Sequence, residues 1–392
     1  MRRREILGVG MGVVATAVGA PTRAQQTDAE RVVAATRGVP GLATGASQSG
    51  DSVLFGFDDG NVVVYDDRDG TVIPIDVDRS VSHIAVSDAA TAAVVGWMDA
   101  DVFARLDLAT VDGTFVEHVG LWDLATTPDA GRTASVSSPA ATPGSVRVAD
   151  SDGSVLWDTP FGDATGQSVA IADGGTRIAV GAGHYWADGT EPTGQPGVRL
   201  YDGTGTEQWH HDHGADVLAV GIDAERELVV AGTDDGHTIV LDVDGQVVWE
   251  TAAVGGWLVL SADGGTILAA DTDGTLYAIV AATGEVRWTA DIGMWPAADL
   301  SVSADGGTWS TIVTDLAAES ARLAVYRTPD TVAAPESAPP RDAPPADEDP
   351  AAEDDESSDE TGDDNDDDDD EDDESPSDPV SLALADYHIL GE

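Results

Sequence analysis

An apolar strand, an Asp-bearing turn and a second apolar strand recur at Asp51, Asp88, Asp129, Asp173, Asp223, Asp263 and Asp305, and this repeat constrains the fold more than any other feature of the chain. The clearest copies are Val169-Ala170-Ile171-Ala172-Asp173-Gly174-Gly175, Val259-Leu260-Ser261-Ala262-Asp263-Gly264-Gly265 and Val302-Ser303-Ala304-Asp305-Gly306-Gly307. The spacings of 37, 41, 44, 50, 40 and 42 residues match the roughly 40 to 50 residues of a four-stranded propeller blade. A lone sheet of that size cannot cover both of its faces, whereas radial stacking of several buries them. A second marker runs in phase, a Gly followed four residues later by Trp: Gly153 and Trp157, Gly205 and Trp209, Gly245 and Trp249, Gly284 and Trp288. The first two repeats keep Gly70 and Gly113 but carry Pro74 and Glu117 where Trp would stand. Trp brings a large apolar area and an N–H that needs an acceptor when buried. Trp157, Trp209, Trp249 and Trp288 are therefore expected to dock each blade on the next.

The expectation is an all-β, seven-bladed β-propeller of four-stranded antiparallel blades over residues 25–330. One blade reads as strands at 257–261, 266–271, 276–280 and 285–291, joined by Asp-Gly and Thr-Gly turns. Blade seven meets Thr328-Pro329 before a fourth strand can form, while residues 30–37 precede blade one as 285–291 precede blade seven. The N-terminal strand is thus expected to complete the last blade and to close the ring, removing an exposed sheet edge.

Together these markers resemble the quinoprotein-type, or PQQ-like, β-propeller repeat, in which an Ala-x-Asp-x-x-Thr-Gly-x-x-x-Trp segment docks neighbouring blades. Residues 278–288 are the nearest copy, with Val280 where that pattern has Asp. The copies ending at Trp157, Trp209 and Trp249 have a turn one residue shorter, with Asp150, Asp202 and Asp242 three before the Gly. The resemblance covers about residues 30–327. Quinoprotein dehydrogenases of that family use eight blades, an adjacent cysteine pair and a bound calcium; this chain has seven repeats and no Cys. The resemblance therefore implies a non-enzymatic member, with no catalytic residue and no cofactor.

Charge narrows the setting. The 73 acidic residues face 18 basic ones, all Arg, for a net charge of −55. Residues 25–341 alone hold 48 acids against 14 Arg, so the expected propeller repels itself unless salt screens it, as it does at ~1 M, where the screening length is about 3 Å. Adaptation to extreme salt follows, and nucleic acid is not an expected partner because no basic patch exists to meet phosphate. Residues 1–24 combine Arg2-Arg3-Arg4, an apolar stretch from Ile6 to about Ala20 and a small-residue end, the pattern of an export signal, here of twin-arginine type. Some 15 apolar residues fall short of a membrane span. The mature chain is expected at the cell surface or outside the cell, with no transmembrane span. Residues 331–379, with 21 acids between 347 and 378, read as a disordered acidic arm, and 380–392 as a short apolar segment.

Two places carry candidate site residues. Trp209-His210-His211-Asp212-His213 puts three His and an Asp in five residues. In a strand alternate residues share a side, so His211 and His213, with His184 as a third ligand, form a candidate set for zinc, copper or nickel; a polar interblade loop is the competing reading. The long insertion at 184–196 holds Tyr185 and Trp186 among polar residues, the composition of a recognition loop, with a tolerated surface insertion as the alternative. Asp-x-Asp-Gly turns at Asp67, Asp150, Asp242 and Asp271 read as hairpin turns, because strands resume where calcium loops would need more ligands. The function expected is a non-catalytic binding or scaffolding module, a monomeric propeller whose partner is another envelope or extracellular protein or a glycan. The alternative is a propeller enzyme, a divergent quinoprotein dehydrogenase or a sugar hydrolase or lyase, using the central funnel. Polar groups converging on the axis would separate the two.

Overall fold

A computed structural model describes residues 80–327 apart from short stretches of loop, the strands between 33 and 76, and 383–384. The expected export signal, the acidic arm, Tyr185 and Trp186 lie outside the described residues. Among those described there is no helix, and every sheet is antiparallel.

Strands follow one another in meanders of four. The first sheet holds Gly41–Ala46, Ser52–Phe57, Asn61–Asp66 and Thr71–Asp76; the second His83–Val86, Ala92–Trp97, Val102–Asp107 and Gly113–Glu117. The third holds Leu121–Thr126, Arg132–Ser137, Ser145–Asp150 and Val155–Pro160; the fourth Ala164–Ala172, Arg177–His184, Gly197–Asp202 and Glu207–Asp212. Val217–Asp223, Leu228–Thr233, Thr238–Asp242 and Val247–Thr251 make the fifth, and Trp257–Leu260, Thr266–Ala270, Thr275–Val280 and Val286–Asp291 the sixth. The seventh contains Pro296–Val302, Thr308–Asp315 and Ser320–Arg327, and on the outer side of the last strand Val33 stands opposite Leu323 and Ala34 opposite Arg322. Farther along the same strand, Ala383–Leu384 pairs with Arg327 and Tyr326.

Position within a sheet decides what each strand buries. Second strands such as Ala92–Trp97, Leu228–Thr233 and Thr266–Ala270 are buried at every residue, because neighbouring sheets cover both faces, and they read as unbroken small and β-branched runs. Fourth strands such as Val155–Pro160 and Val247–Thr251 are mostly exposed. The core lies between sheets. One cluster joins Val136 and Val148 of the third sheet to Ile178 and Val180 of the fourth; others join Val198 to Val229 across the fourth and fifth, Val240 to Ile267 across the fifth and sixth, and Leu268 to Trp309 across the sixth and seventh. First strands of successive sheets lie side by side, and Gly41–Ala46 of the first sheet also lies against Pro296–Val302 of the seventh. These sheets have the form of propeller blades.

Candidate functional site

The walls between sheets are built from the Gly and Trp series. Nε1–H of Trp157 donates to the carbonyl of Gly203 at 3.1 Å, that of Trp209 to Val243 at 2.6 Å and that of Trp249 to Ala281 at 2.8 Å. Each acceptor belongs to the hairpin of the following sheet, where the turn glycine closes over the ring. A Cβ on Gly205 would stand 2.8 Å from Trp157, and one on Gly245 2.9 Å from Trp209. Both glycines have positive φ, 83° and 77°, so two separate reasons require Gly there. Trp288 is buried and stacks on Trp309 with ring centroids 6.3 Å apart. Immediately before each of the four Trp residues the pairing of third and fourth strands slips, between Val148 and Ala149, Leu200 and Tyr201, Val240 and Leu241, and Ala278 and Ile279. Such a bulge re-aims the following side chain and leaves the residues before it facing solvent: Val155, Leu156, Val247, Val248 and Val286 are exposed.

A second series, which sequence reasoning missed, uses arginine. Arg105 Nε donates to Ala130 O at 3.0 Å, Arg132 Nη1 to Gly175 O at 3.2 Å, and Arg226 Nη1 to Asp263 O. In each case an Arg of one sheet holds the first turn of the next. The repeated turn Asp supports that turn from within: Asp129 accepts from Thr127 Oγ1 and Gly131 N–H, and Asp263 from Ser261 Oγ and Gly265 N–H. The Asp-x-Asp-Gly carboxylates are likewise engaged locally, Asp150 with the N–H groups of Asp152 and Ser154, and Asp242 with those of Asp244 and Gln246.

Where first strands converge there is a cavity of about 230 Å³, lined mainly by apolar residues such as Ile84, Leu124, Val259 and Leu300, with Asp123 and His83 among them. Asp123 Oδ2 accepts from Val169 N–H of the fourth sheet at 2.9 Å, and Oδ1 from Leu124 N–H at 2.8 Å. His83 Nε2 lies 3.9 Å from Asp123 Oδ1. Burial pushes the Asp123 carboxyl up to about 6, against the pull of its hydrogen bonds with Val169, Leu124 and Ser168. Ser168 Oγ in turn accepts from Val220 N–H of the fifth sheet at 3.2 Å, continuing the same kind of link.

The histidines singled out from sequence gather at the edge of the fourth and fifth sheets but do not form one ligand set. His184 is held by Asp216, whose Oδ1 lies 2.6 Å from His184 Nδ1 and 2.8 Å from its N–H. His210 is half-buried; burial and then the Arg199 guanidinium lower its pKa. The strand ends at Asp212, and Gly214 turns the chain with φ of 80°, so His213 leaves the alternation that would have paired it with His211. His213 instead joins His237 and Glu250, with one ligand atom from each lying within 4.8 Å of the others. His237 and Glu250 were missed because their separation of 13 residues resembles no metal-binding spacing; a hairpin brings them together.

Residues 194–306 match the family model described as outer membrane protein assembly factor BamB. A search of curated proteins finds no match. The matched stretch contains Trp209, Trp249 and Trp288 with their glycines, the same residues that carry the cross-sheet contacts. No helix among the described residues is long and apolar enough to cross a membrane. The likeness to the PQQ-like β-propeller repeat thus rests on residues 194–306.

Proposed function

We propose that the chain is an exported, salt-adapted binding or scaffolding protein: a seven-bladed propeller, closed by the pairing of Val33–Ala34 with Ser320–Arg327, that presents its outer rim to another protein of the envelope or the extracellular space. The observation that carries this reading is the apolar rim. In a chain of net charge −55, Val155, Leu156, Val247, Val248 and Val286 recur at one level of the outer strands of the third, fifth and sixth sheets with 40–47% of their surface exposed, the fourth sheet having Glu207 and Gln208 at that level, and Phe115 of the second sheet is 66% exposed. Apolar residues repeated in one register on an otherwise charged surface suit contact with a partner. The matching family model, named for an assembly factor, points the same way, as do the interior polar groups: both oxygens of Asp123 are committed to backbone N–H groups.

The test is capture from native envelope material in molar salt, comparing the full chain with a quadruple variant, Val155→Ser, Leu156→Ser, Val247→Ser and Val248→Ser, shown by circular dichroism to remain folded. The wild type should retain a defined partner that the variant loses. Identical retention by both, or none by either, would remove the rim from the reading. One observation favours a second reading, an enzyme working in the funnel: the Asp123 carboxyl, raised to about 6, lies beside His83 at the cavity. Substrate turnover abolished by Asp123→Asn in a folded protein would decide for it.

A further inference from the structure

From the grouping of His213, His237 and Glu250 across the fourth and fifth sheets, we infer a binding site for a first-row divalent cation of the zinc, cobalt, nickel and copper class. His213 follows the outer strand of the fourth sheet; His237 lies in the hairpin between Leu228–Thr233 and Thr238–Asp242 of the fifth; Glu250 stands on that sheet's outer strand opposite Ile239. Nδ1 of His237 is 2.6 Å from Glu250 Oε1, and the His213 and His237 rings have centroids 5.4 Å apart.

Beyond the grouping itself, one observation points to a ligand. Nε2 of His213 is shielded from solvent and has no hydrogen-bond partner among the described residues; a buried nitrogen in that state needs an explanation, and an ion is one of the few that serve. Asp235 Oδ2 stands 3.7 Å from the same nitrogen, too far for a hydrogen bond but suited to orient the ring or to enter as a fourth oxygen ligand. The side chain of His213 is 13% exposed, against 29% for His237 and 38% for Glu250, so the group is open to solvent on one side, giving an ion a way in.

The donor set selects the metal. Two imidazole nitrogens and a carboxylate are the ligands of three-residue zinc sites with an open fourth position, whereas calcium and magnesium take oxygen donors. With metal–ligand bonds of about 2.0–2.2 Å, ligand atoms of a tetrahedral ion stand roughly 3.3–3.6 Å apart, so His237 Nδ1 and Glu250 Oε1 must part a little from 2.6 Å, a movement within reach of a partly exposed Glu and a hairpin His. If the ion takes His237 Nδ1, it replaces the hydrogen bond to Glu250, and the neutral imidazole carries its one proton on Nε2 instead. Because the ligands come from two sheets, the bound ion bridges them.

Cobalt(II) titrated into the untagged full chain, in molar KCl with excess Mg²⁺ to occupy the acidic arm, reads the site directly. At one equivalent the visible absorption of a four- or five-coordinate nitrogen-containing site should appear and should be displaced by one equivalent of zinc. The band should be lost in His213→Gln and in His237→Gln and kept in His211→Gln and His184→Gln. Asp235→Asn should weaken zinc binding about 10- to 100-fold, the range for groups that orient a ligand. A wild-type spectrum with only the weak absorption of octahedral cobalt overturns the site, whatever the variants do. A band surviving both His213→Gln and His237→Gln, or equally lost in His211→Gln, overturns the ligand assignment.

Discussion

The outer strands of sheets three to six and those of sheets one and two occupy the same place in the meander but are built differently. In the former, pairing slips by one residue just before each Trp, and the indole turns across to the next sheet. In the latter, Thr71–Asp76 and Gly113–Glu117 pair with their neighbours in unbroken register, and Pro74 and Glu117 stand where Trp would be. At the outer strand the second sheet meets the third through polar groups, beside an apolar cluster of Val94, Phe103 and Val116 with Leu121, Leu124 and Ala149. Arg147 donates to Glu117 O and to Asp158, and His118, 2% exposed, lies between Ser135 Oγ at 2.7 Å and Ser145 Oγ at 3.2 Å. One junction type includes an indole with its hydrogen bond to the next sheet; the other includes a buried titratable group. They should differ in size of effect and in response to pH.

The largest effect belongs to the aromatic junction. Trp249→Ala removes a partly buried indole packed against Gly284 and strands the carbonyl of Ala281, and should cost about 3 kcal/mol, the low end of the range for truncating large buried aromatics. Denaturant unfolding in molar salt measures it. A loss below about 1 kcal/mol would mean that the indole contact contributes little to joining the sheets.

The polar junction should respond to pH instead. Burial, with the Arg147 charge, lowers the His118 pKa from 6.5 to about 4. A histidine kept neutral in the fold contributes stability that is whole above its unfolded pKa and is lost as pH falls towards the folded one. Between pH 7 and pH 5 the wild type should therefore lose about 2 kcal/mol that His118→Gln does not lose. Five residues on, Asp123 acts with the opposite sign. Its carboxyl is raised from 3.8 to about 6, so the folded protein holds a proton that the unfolded chain releases, and stability rises as pH falls through 6. Because 24% of the side chain is exposed, the gain between pH 7 and pH 5 should be no more than about 1 kcal/mol, and absent in Asp123→Asn. Unfolding of the three proteins at the two pH values separates the contributions; parallel changes in all three would refute both.

How much of this was legible in the sequence follows from which contacts are local. The four-strand repeat shows because its signals, Asp-Gly turns and a Trp four residues after Gly, lie within single hairpins, and the meander needs no long-range pairing to be guessed. The slip before Trp157 does not show, because a bulge is a property of two strands in register and Val155-Leu156-Trp157 alone reads as an ordinary apolar strand. His211 and His213 illustrate the limit: period-two reasoning holds only while the strand lasts, and this one ends at Asp212. Asp123 looks like an outward residue of an alternating strand, yet it lies at the cavity where first strands crowd together, and its carboxylate meets the backbone N–H of the neighbouring sheet.

The smallest effect tests the contrast most closely, because it asks whether the turn glycine and the indole act as one unit. Gly284 has φ of 77°, and an added Cβ would lie 3.1 Å from Trp249 Cδ2. Gly284→Ala should thus cost about 1–2 kcal/mol for the left-handed backbone, plus a smaller amount for pushing the ring off its seat. Only the second part depends on the indole, so in a Trp249→Ala background it should vanish. The two substitutions together should fall short of additivity by about 0.5–1 kcal/mol, the lower range for residues in direct contact. Gly174, whose added Cβ would meet nothing within 4 Å although its φ is 61°, supplies the control: Gly174→Ala should carry the backbone cost alone and add fully to Trp249→Ala. If both glycines proved additive with Trp249, the repeated Gly would be there for its turn only, and the bulge alone would set the indole across the sheet boundary.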